Sequence, residues 1–579
     1  MPAMSVMPET LLRDVDAAAR QADSVAGSRD PWLRVTAIAV AIALVLAFRA
    51  AFSAYFMLDD FGMLAIARFL DNPFEPFWHN HIPGGLYYRP LGMLFWWLSE
   101  RALGTNVAAQ YLVNLALHLV GAAALWRFTS KLCESQWAGI LVAACFACHP
   151  IGFGTTLWLS DRFDLLALPL GFLGLRQVLE FSRFASSRAI WLALPLLSAS
   201  LLSKEIALAF FVSSMMLCLC ADRQIGWQAR FRACAILCVP IAAYFLVRSV
   251  VLPNPSAESL FSIKQPLHLL ADGLGHWATG GFDFLTCWQR LGGWKKGAAF
   301  AGVSVVVVLL LVSTTRPWSI RRKNAVLAGL SLCATTALLQ WPLLGNFSVR
   351  ISEASPVLDL VVNSRYFYAS LAGFLIAIAG FLMPVLERWK GARIGIAFAS
   401  ALLVVPWLLS DQNLARRYRN ETHKQQELVE AALASIGKSR LPATNCQIYL
   451  LDTQNWTFGW ISDEAVKATY PDLARIESCL VQTEHTPWYH IARRDSIDPG
   501  GLRPMTLVRG QDESQSAQRI GRGRFLALNL DDDNGVPADS QALFLSWQTG
   551  RFVDVSAEVR EGRRTPRFAC NRRAEQCPK

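Results

Sequence analysis

The chain has 579 residues, 53% of them hydrophobic and only 17% charged, whereas an ordinary soluble domain carries roughly a quarter charged residues. Its apolar residues gather into blocks near the ~20 residues needed to cross a bilayer, which excludes a simple soluble protein and reads as a polytopic membrane protein. The formal charge of +11 sits in short basic connections between those blocks, so it reports topology and not nucleic-acid binding.

Residues 1–32 are expected to form a cytoplasmic tail. The first apolar block lacks a small-residue cleavage site and follows a polar leader, so it reads as a retained span and not a removed signal peptide. About eleven spans are expected from the length template, at 33–56, 106–127, 136–156, 163–181, 188–203, 205–221, 232–252, 298–315, 324–345, 366–387 and 393–410. With the N-terminus inside, every short basic connection falls on one face. These carry Arg29 and Arg34, Arg127 and Lys131, Arg183 and Arg188, Arg223 and Arg230, Arg321 to Lys323, and Arg388 to Arg393. The positive-inside rule then places three loops outside, at 57–105, 254–297 and 346–365, together with everything after residue 411.

Residues 412–579 change character. "CQIYLLD", "RFLALNL" and "ALFLSW" suit strands, and the segment reads as a soluble α/β domain. It holds Cys446, Cys479, Cys570 and Cys577, an even number that in an oxidising compartment allows two disulfides of undetermined pairing. Zinc is the weaker alternative, since no pair has the spacing of a zinc knuckle. The expected fold class is therefore a polytopic α-helical membrane protein, 33–411, with a C-terminal α/β domain.

Charged side chains in spans cost a few kcal/mol each, so those at the outer ends carry information. Five stretches fall there: "LDDFGM" (58–63), "YYRPLGMLFWWL" (87–98), "HPIGFGTTLWLSDRFD" (149–164), "LLSKEIALAFF" (201–211) and "NSRYFYASLAGF" (363–374). Together they would ring one outward cavity with acids and bases. Plainer readings stand beside this one. Asp59 and Asp60 are also good helix caps. Lys204 and Glu205 could be a structural ion pair, and Arg162 and Arg365 could snorkel to headgroups. "HNH" at 79–81 lacks a third metal ligand, so a divalent metal is a minor alternative. Asn114 and His118, four apart, suit an interhelical hydrogen bond. "LDDDNGV" (530–536) lacks the closing Glu of a calcium loop, and Cys145 and Cys148 read as packing residues.

The order of "LDDFGMLAI", "YRPL", "YLVNLALH" (111–118), "LSDRFDLLA" (159–167), "SKE" and "RYFYASLAGF" resembles the membrane half of the transmembrane and tetratricopeptide-repeat O-mannosyltransferases. These belong to the GT-C class, with protein O-mannosyltransferases and lipid A aminoarabinose transferase. The resemblance covers roughly residues 33–430. Two features depart from the family: "SDRFD" stands where a "GRAD"-like element is usual, and a cysteine-bearing domain replaces the tetratricopeptide tail.

The resemblance implies a glycosyltransferase with a polyprenyl-phosphate-sugar donor, a hydroxyl acceptor on protein, lipid or glycan, and inversion at the anomeric carbon. By analogy Asp59 is the expected base and Asp60 orients substrate. A hydroxyl nucleophile needs a base within hydrogen-bond reach, and a departing phosphate needs cations. Arg365, Lys204, Arg162 and Arg89 are the candidates, in that order. Glu205 is expected to pair with one of them. Asp161 and Asp164 would position Arg162 or meet sugar hydroxyls, while Tyr88, Trp158, Tyr366 and Tyr368 would line the sugar or isoprenoid path. No cofactor is expected to be required, and no nucleic acid. The expected setting is a bacterial inner membrane, with the N-terminus cytoplasmic and the C-terminal domain periplasmic. A transporter or flippase, a non-catalytic scaffold and a surface-polysaccharide polymerase or ligase are the competing functions.

Overall fold

The computed structural model describes residues 31–79, 87–220, 225–252, 319–340, 356–388, 390–441, 446–453, 455–483, 490–493, 517–520, 525–528 and 542–564. The helices are α1 Pro31–Phe48, α2 Asp59–Phe69, α3 Pro90–Leu103, α4 Val107–Cys133, α5 Gln136–Cys148, α6 Pro150–Leu157, α7 Arg162–Phe184, α8 Ser187–Ser203, α9 Leu208–Leu219 and α10 Trp227–Val251. They continue with α11 Ile320–Gln340, α12 Pro356–Arg388 and α13 Lys390–Lys438. Apolar composition is the main reason these segments are helical. In hydrocarbon every backbone polar group must be satisfied within the segment, and a helix does that.

The protein is an integral membrane protein, but the expected eleven spans are not what the described residues contain. Five helices are long and apolar enough to cross a bilayer: Pro31–Ser53, Val107–Cys133, Leu159–Phe184, Trp227–Val251 and Ser364–Leu382. A sixth arises if α5 and α6 count as one span bent by 53°. That bend breaks the expected span 136–156 at Pro150, which has no N–H to continue the helix. The side chain of His149 caps the new helix by accepting from the Ile151 N–H. Helices α8 and α9 are apolar but shorter than a span. The expected span at 298–315 and the loop 254–297 lie outside the described residues.

The bundle closes through small residues. A Cβ on Gly329 of α11 would lie 2.5 Å from the backbone of Gly373 and Ala377 on α12, and one on Gly373 would lie 2.7 Å from Gly329 and Cys333. Where lipid replaces water, such close backbone approach supplies the packing that holds helices together.

After the bundle, α13 runs on as one 49-residue helix, so the boundary expected at 411/412 falls inside it. Its distal half carries Leu428, Val429, Ala432 and Ile436 into the buried core. There Ser435 Oγ donates to the Phe552 carbonyl at 2.9 Å. The remaining elements are β1 Cys446–Leu451, α14 Trp456–Thr469, α15 Leu473–Ile476, β2 Cys479–Thr483, β3 His490–Arg493, β4 Ala517–Ile520, β5 Phe525–Leu528, β6 Leu543–Gln548, β7 Arg551–Asp554 and α16 Ser556–Arg560. One sheet has the order β2-β1-β6-β7; β1 pairs parallel with both neighbours and β7 antiparallel with β6. Every residue of β1 is buried, as a strand flanked by parallel partners and covered on both faces requires. A second, antiparallel sheet has the order β3-β5-β4.

Cys446 and Cys479 are register partners on β1 and β2 and form a disulfide. Cys570 and Cys577 lie outside the described residues, as does "LDDDNGV". Helix α14 packs against α2, so this sheet-bearing region rests on the helix that begins with Asp59.

Two outcomes follow from this packing. Gly329→Val forces α11 and α12 apart and is expected to cost at least the ~1–3 kcal/mol of an overpacked core, read as a lower melting temperature in detergent. Replacing Cys446 and Cys479 together by Ser opens a loop spanning 33 residues and is expected to cost about 2–4 kcal/mol; dithiothreitol should reproduce the loss in the wild type and leave the variant unmoved.

Candidate active site

The segment linking α1 to α2 is pinned before it reaches the two carboxylates. The Tyr55 N–H donates to Thr422 Oγ1 of α13, and the Tyr111 hydroxyl of α4 donates to the Tyr55 carbonyl, both at 3.0 Å. A tight turn follows, closed by the Asp60 N–H on the Met57 carbonyl at 2.9 Å. At its first corner Leu58 has φ 46° and ψ −125°, a conformation suited to glycine that costs a branched side chain roughly 1–3 kcal/mol. Strain of this kind persists where the surroundings over-determine it, and here it sets the direction of the next residue. Helix α2 then starts with Asp59 and Asp60 in its first turn, at the positive end of the helix dipole.

The two neighbours differ completely. Asp60 is buried and its acceptors are used: Oδ1 accepts from the Ser160 N–H at 2.7 Å and the Ser160 hydroxyl at 2.8 Å, and Oδ2 from the Met57 N–H at 3.1 Å. Burial pushes its carboxyl up to about 7, against the pull of those donors; the Asp59 charge adds to the rise. Asp59 retains solvent exposure but is surrounded by protein, so the water that reaches it is cleft water. Confinement pushes its carboxyl upward, opposed by the nearby charges of Arg365 and Arg89.

The other elements deliver cations to this cleft. Arg89 is the N-cap of α3. Its Nε and Nη2 both lie 2.8 Å from Glu205 Oε2, and its guanidinium stacks 4.0 Å over Tyr87. Arg365, in the first third of α12, stacks 4.3 Å over the Trp158 ring, donates to the Tyr366 hydroxyl at 3.0 Å, and stands 3.5 Å from Asp161. Lys204, where α8 ends, is paired with Asp164 and not with Glu205. Among the described residues neither oxygen of the buried Asp161 has a hydrogen-bond partner, and the second oxygens of Asp164 and Glu205 are also unmatched. The region around Asp59 therefore alternates acidic and basic side chains, with Asp59, Arg89, Glu205 and Arg365 partly open to solvent.

Three expected contributors are placed elsewhere. Arg162 is 1% exposed. Its Nε donates to Asn114 Oδ1 at 2.9 Å, Nη1 to Ser99 Oγ at 3.1 Å and Nη2 to the Gln110 carbonyl at 3.2 Å. With its fork spent on protein acceptors, it holds the 158–162 turn and does not reach the cleft. Tyr368 is buried and bonded to His118 Nδ1 at 2.9 Å. Since His118 Nε2 faces the Ala147 carbonyl at 3.0 Å, which only accepts, Nε2 carries the proton and Tyr368 donates. Tyr88 is buried, its hydroxyl donating to the Phe77 carbonyl at 2.8 Å. Asn114 makes the interhelical bonds expected of it, donating to the Thr156 and Trp158 carbonyls.

Ser160 and Leu58 escaped the sequence reading. The "SDRFD" motif drew attention to its charges, although its leading hydroxyl was the available signal. Among the described residues no group of three or more His, Cys, Asp or Glu side chains could hold a metal; His81 lies outside them.

No protein-family model matches the chain. Among curated proteins it is similar to the protein O-mannosyl-transferase Tmtc2 of Drosophila melanogaster, 31% identical over 156 residues, which is 25% of this chain and 16% of that protein. The match and the motif order name the same family. Among solved structures, ArnT from Cupriavidus metallidurans bound to undecaprenyl phosphate aligns at TM-score 0.43 and 14% identity, over 86% of this chain and 98% of that one. The Archaeoglobus fulgidus oligosaccharyltransferase in complex with Zn and sulfate aligns at 0.38 and 12%, over 78% and 62%.

The contrast between the two aspartates is measurable. In the folded protein Asp60 holds its proton to about pH 7, against about 3.9 when unfolded. Folding therefore takes up a proton between those values, and stability falls as pH rises through that window. Asp60→Asn removes the titration, so its melting temperature relative to wild type should rise between pH 5 and pH 7. At pH 5 the variant should be the less stable by about 1–3 kcal/mol, because its amide faces the Met57 N–H.

Proposed function

We propose that the protein is an integral membrane glycosyltransferase that moves a sugar from a polyprenyl-phosphate donor to a hydroxyl acceptor, with inversion, on the extracytoplasmic face. The observation that carries this reading is a solvent-exposed carboxylate, Asp59, within electrostatic reach of Arg365 and Arg89, next to a buried carboxylate whose acceptors are already filled. Asp59 accepts the acceptor hydroxyl's proton as its oxygen attacks the anomeric carbon. The bond from that carbon to the phosphate oxygen breaks, and the lipid phosphate leaves with the electron pair. Arg365 and Arg89 stabilise the charge that develops on it, most effectively in a water-poor cleft. Lys204 contributes a point charge from behind Asp164. Asp60 holds α2 in place and does not touch substrate. Trp158 and Tyr366 orient the Arg365 guanidinium.

The outer-face location is supported by the basic connections of the opposite side and by the Cys446–Cys479 disulfide, a bond that persists in oxidising compartments. A bacterial inner membrane, with a periplasmic C-terminal domain and no required cofactor, completes the reading.

Purified protein is given radiolabelled polyprenyl-phosphate sugars with a cell extract as acceptor source. Asp59→Asn should lower transfer by roughly 10²–10⁴-fold, the usual contribution of a general base, while melting as the wild type does. Equal transfer by both proteins would remove Asp59 as base. No transfer from any donor by folded wild type would overturn the enzyme reading in favour of transport.

A further inference from the structure

We propose that the C-terminal domain is part of the active centre, and that Arg68 is the positioning residue through which its docking sets Asp59. Asp59 is the first residue of α2 and Arg68 lies in its last turn. Arg68 Nη1 lies 2.9 Å from each of three carbonyls, those of Lys467, Ala468 and Tyr470. They belong to the C-terminal end of α14, where carbonyls lack intrahelical partners and a cation is favoured by the dipole. Arg68 Nε stands 3.9 Å from Glu100 of α3, the helix capped by Arg89. One guanidinium therefore joins the helix of the base, the helix behind a cleft cation, and the C-terminal domain.

Helix α14 is itself held firmly. The buried Asp463 accepts from the Val481 N–H of β2 at 2.8 Å and from Lys467 Nζ at 2.8 Å. The position of α2 is thus referred to the sheet. From the same helix comes Glu464, 3% exposed, whose Oε2 has no hydrogen-bond partner. It lies within electrostatic reach of Asp59. Within electrostatic reach of Asp59 are Arg365 from α12, Arg89 at the head of α3, Asp60 on its own helix and Glu464 from α14. Loosening α14 admits water to this group, and its carboxyl then drops toward the ordinary carboxylate range.

The inference rests on the reading of Asp59 as base, and its test separates the two. Arg68→Ala and Arg68→Lys are made in the full chain. The alanine variant should lose roughly tenfold or more in kcat, as a displaced catalytic group does, with donor KM unchanged. Its acidic limb should move down as burial is relieved. Amides of 59–69 and 456–469 should exchange hydrogen faster. The lysine variant, still able to donate to a carbonyl, should fall between, and it carries the same readouts if the alanine variant does not fold. Unchanged exchange with normal kcat would overturn the proposal. So would a kcat loss with an unmoved acidic limb, which would make Arg68 structural alone. If wild type transfers nothing, the base reading fails by itself, and unchanged exchange would still overturn the docking role.

Discussion

The site depends on one buried carboxylate finding its donors. Asp60 sits where water does not reach, and a carboxylate there is tolerated only if its acceptors are filled. Ser160 supplies two of the three donors from the turn that opens α7, and Met57 supplies the third from the turn before α2. Satisfying Asp60 therefore requires the segment between α1 and α2 and the turn before α7 to meet at one point. That meeting holds the Leu58 corner in a conformation the isolated chain would avoid, and the corner aims Asp59 into the cleft.

The same logic extends outward in layers. Asn114 and Arg162 satisfy each other and the carbonyls of the 156–158 stretch, so the Ser160 turn is itself fixed from α4. Arg162 is costly to bury, and it is kept because its donors meet three acceptors contributed by α3 and α4. Around this frame stand the residues that retain freedom: Asp59, Arg89, Glu205 and Arg365, each partly open to solvent. Asp60 and Arg162, buried and saturated, fix the geometry, and Asp59 is the carboxylate that solvent still reaches. That division separates two adjacent aspartates that are chemically identical as letters.

Much of this was legible in the chain. Apolar blocks bounded by basic connections identified a polytopic membrane protein, and the expected grouping of "LDDFGM", "YYRPL", "SDRFD", "SKE" and "SRYFY" at span ends brought together residues that do lie close. One of the two disulfides that the cysteine count allows is the Cys446–Cys479 pair. The span count was less legible. Hydropathy reads a window of composition, and it cannot see that Pro150 breaks a helix pair by 53° or that α13 runs 49 residues through the expected domain boundary. Arg162 and Tyr368 were misplaced for a related reason. Period and charge show that a side chain is polar and near the outer end, without showing whether its partners are protein or ligand.

What the sequence determined by itself is the class of molecule and the neighbourhood of its chemistry, because hydropathy, charge sidedness and motif order are properties of the chain read in line. What only the tertiary structure decided is which carboxylate is free and what rests upon it. Ser160, which gives Asp60 two of its three donors, lies 100 residues away, and the carbonyl partners of Arg68 lie 399 to 402 residues away. Most of those partners are backbone N–H groups and carbonyls, which every residue possesses, so no pattern of side chains could have announced them.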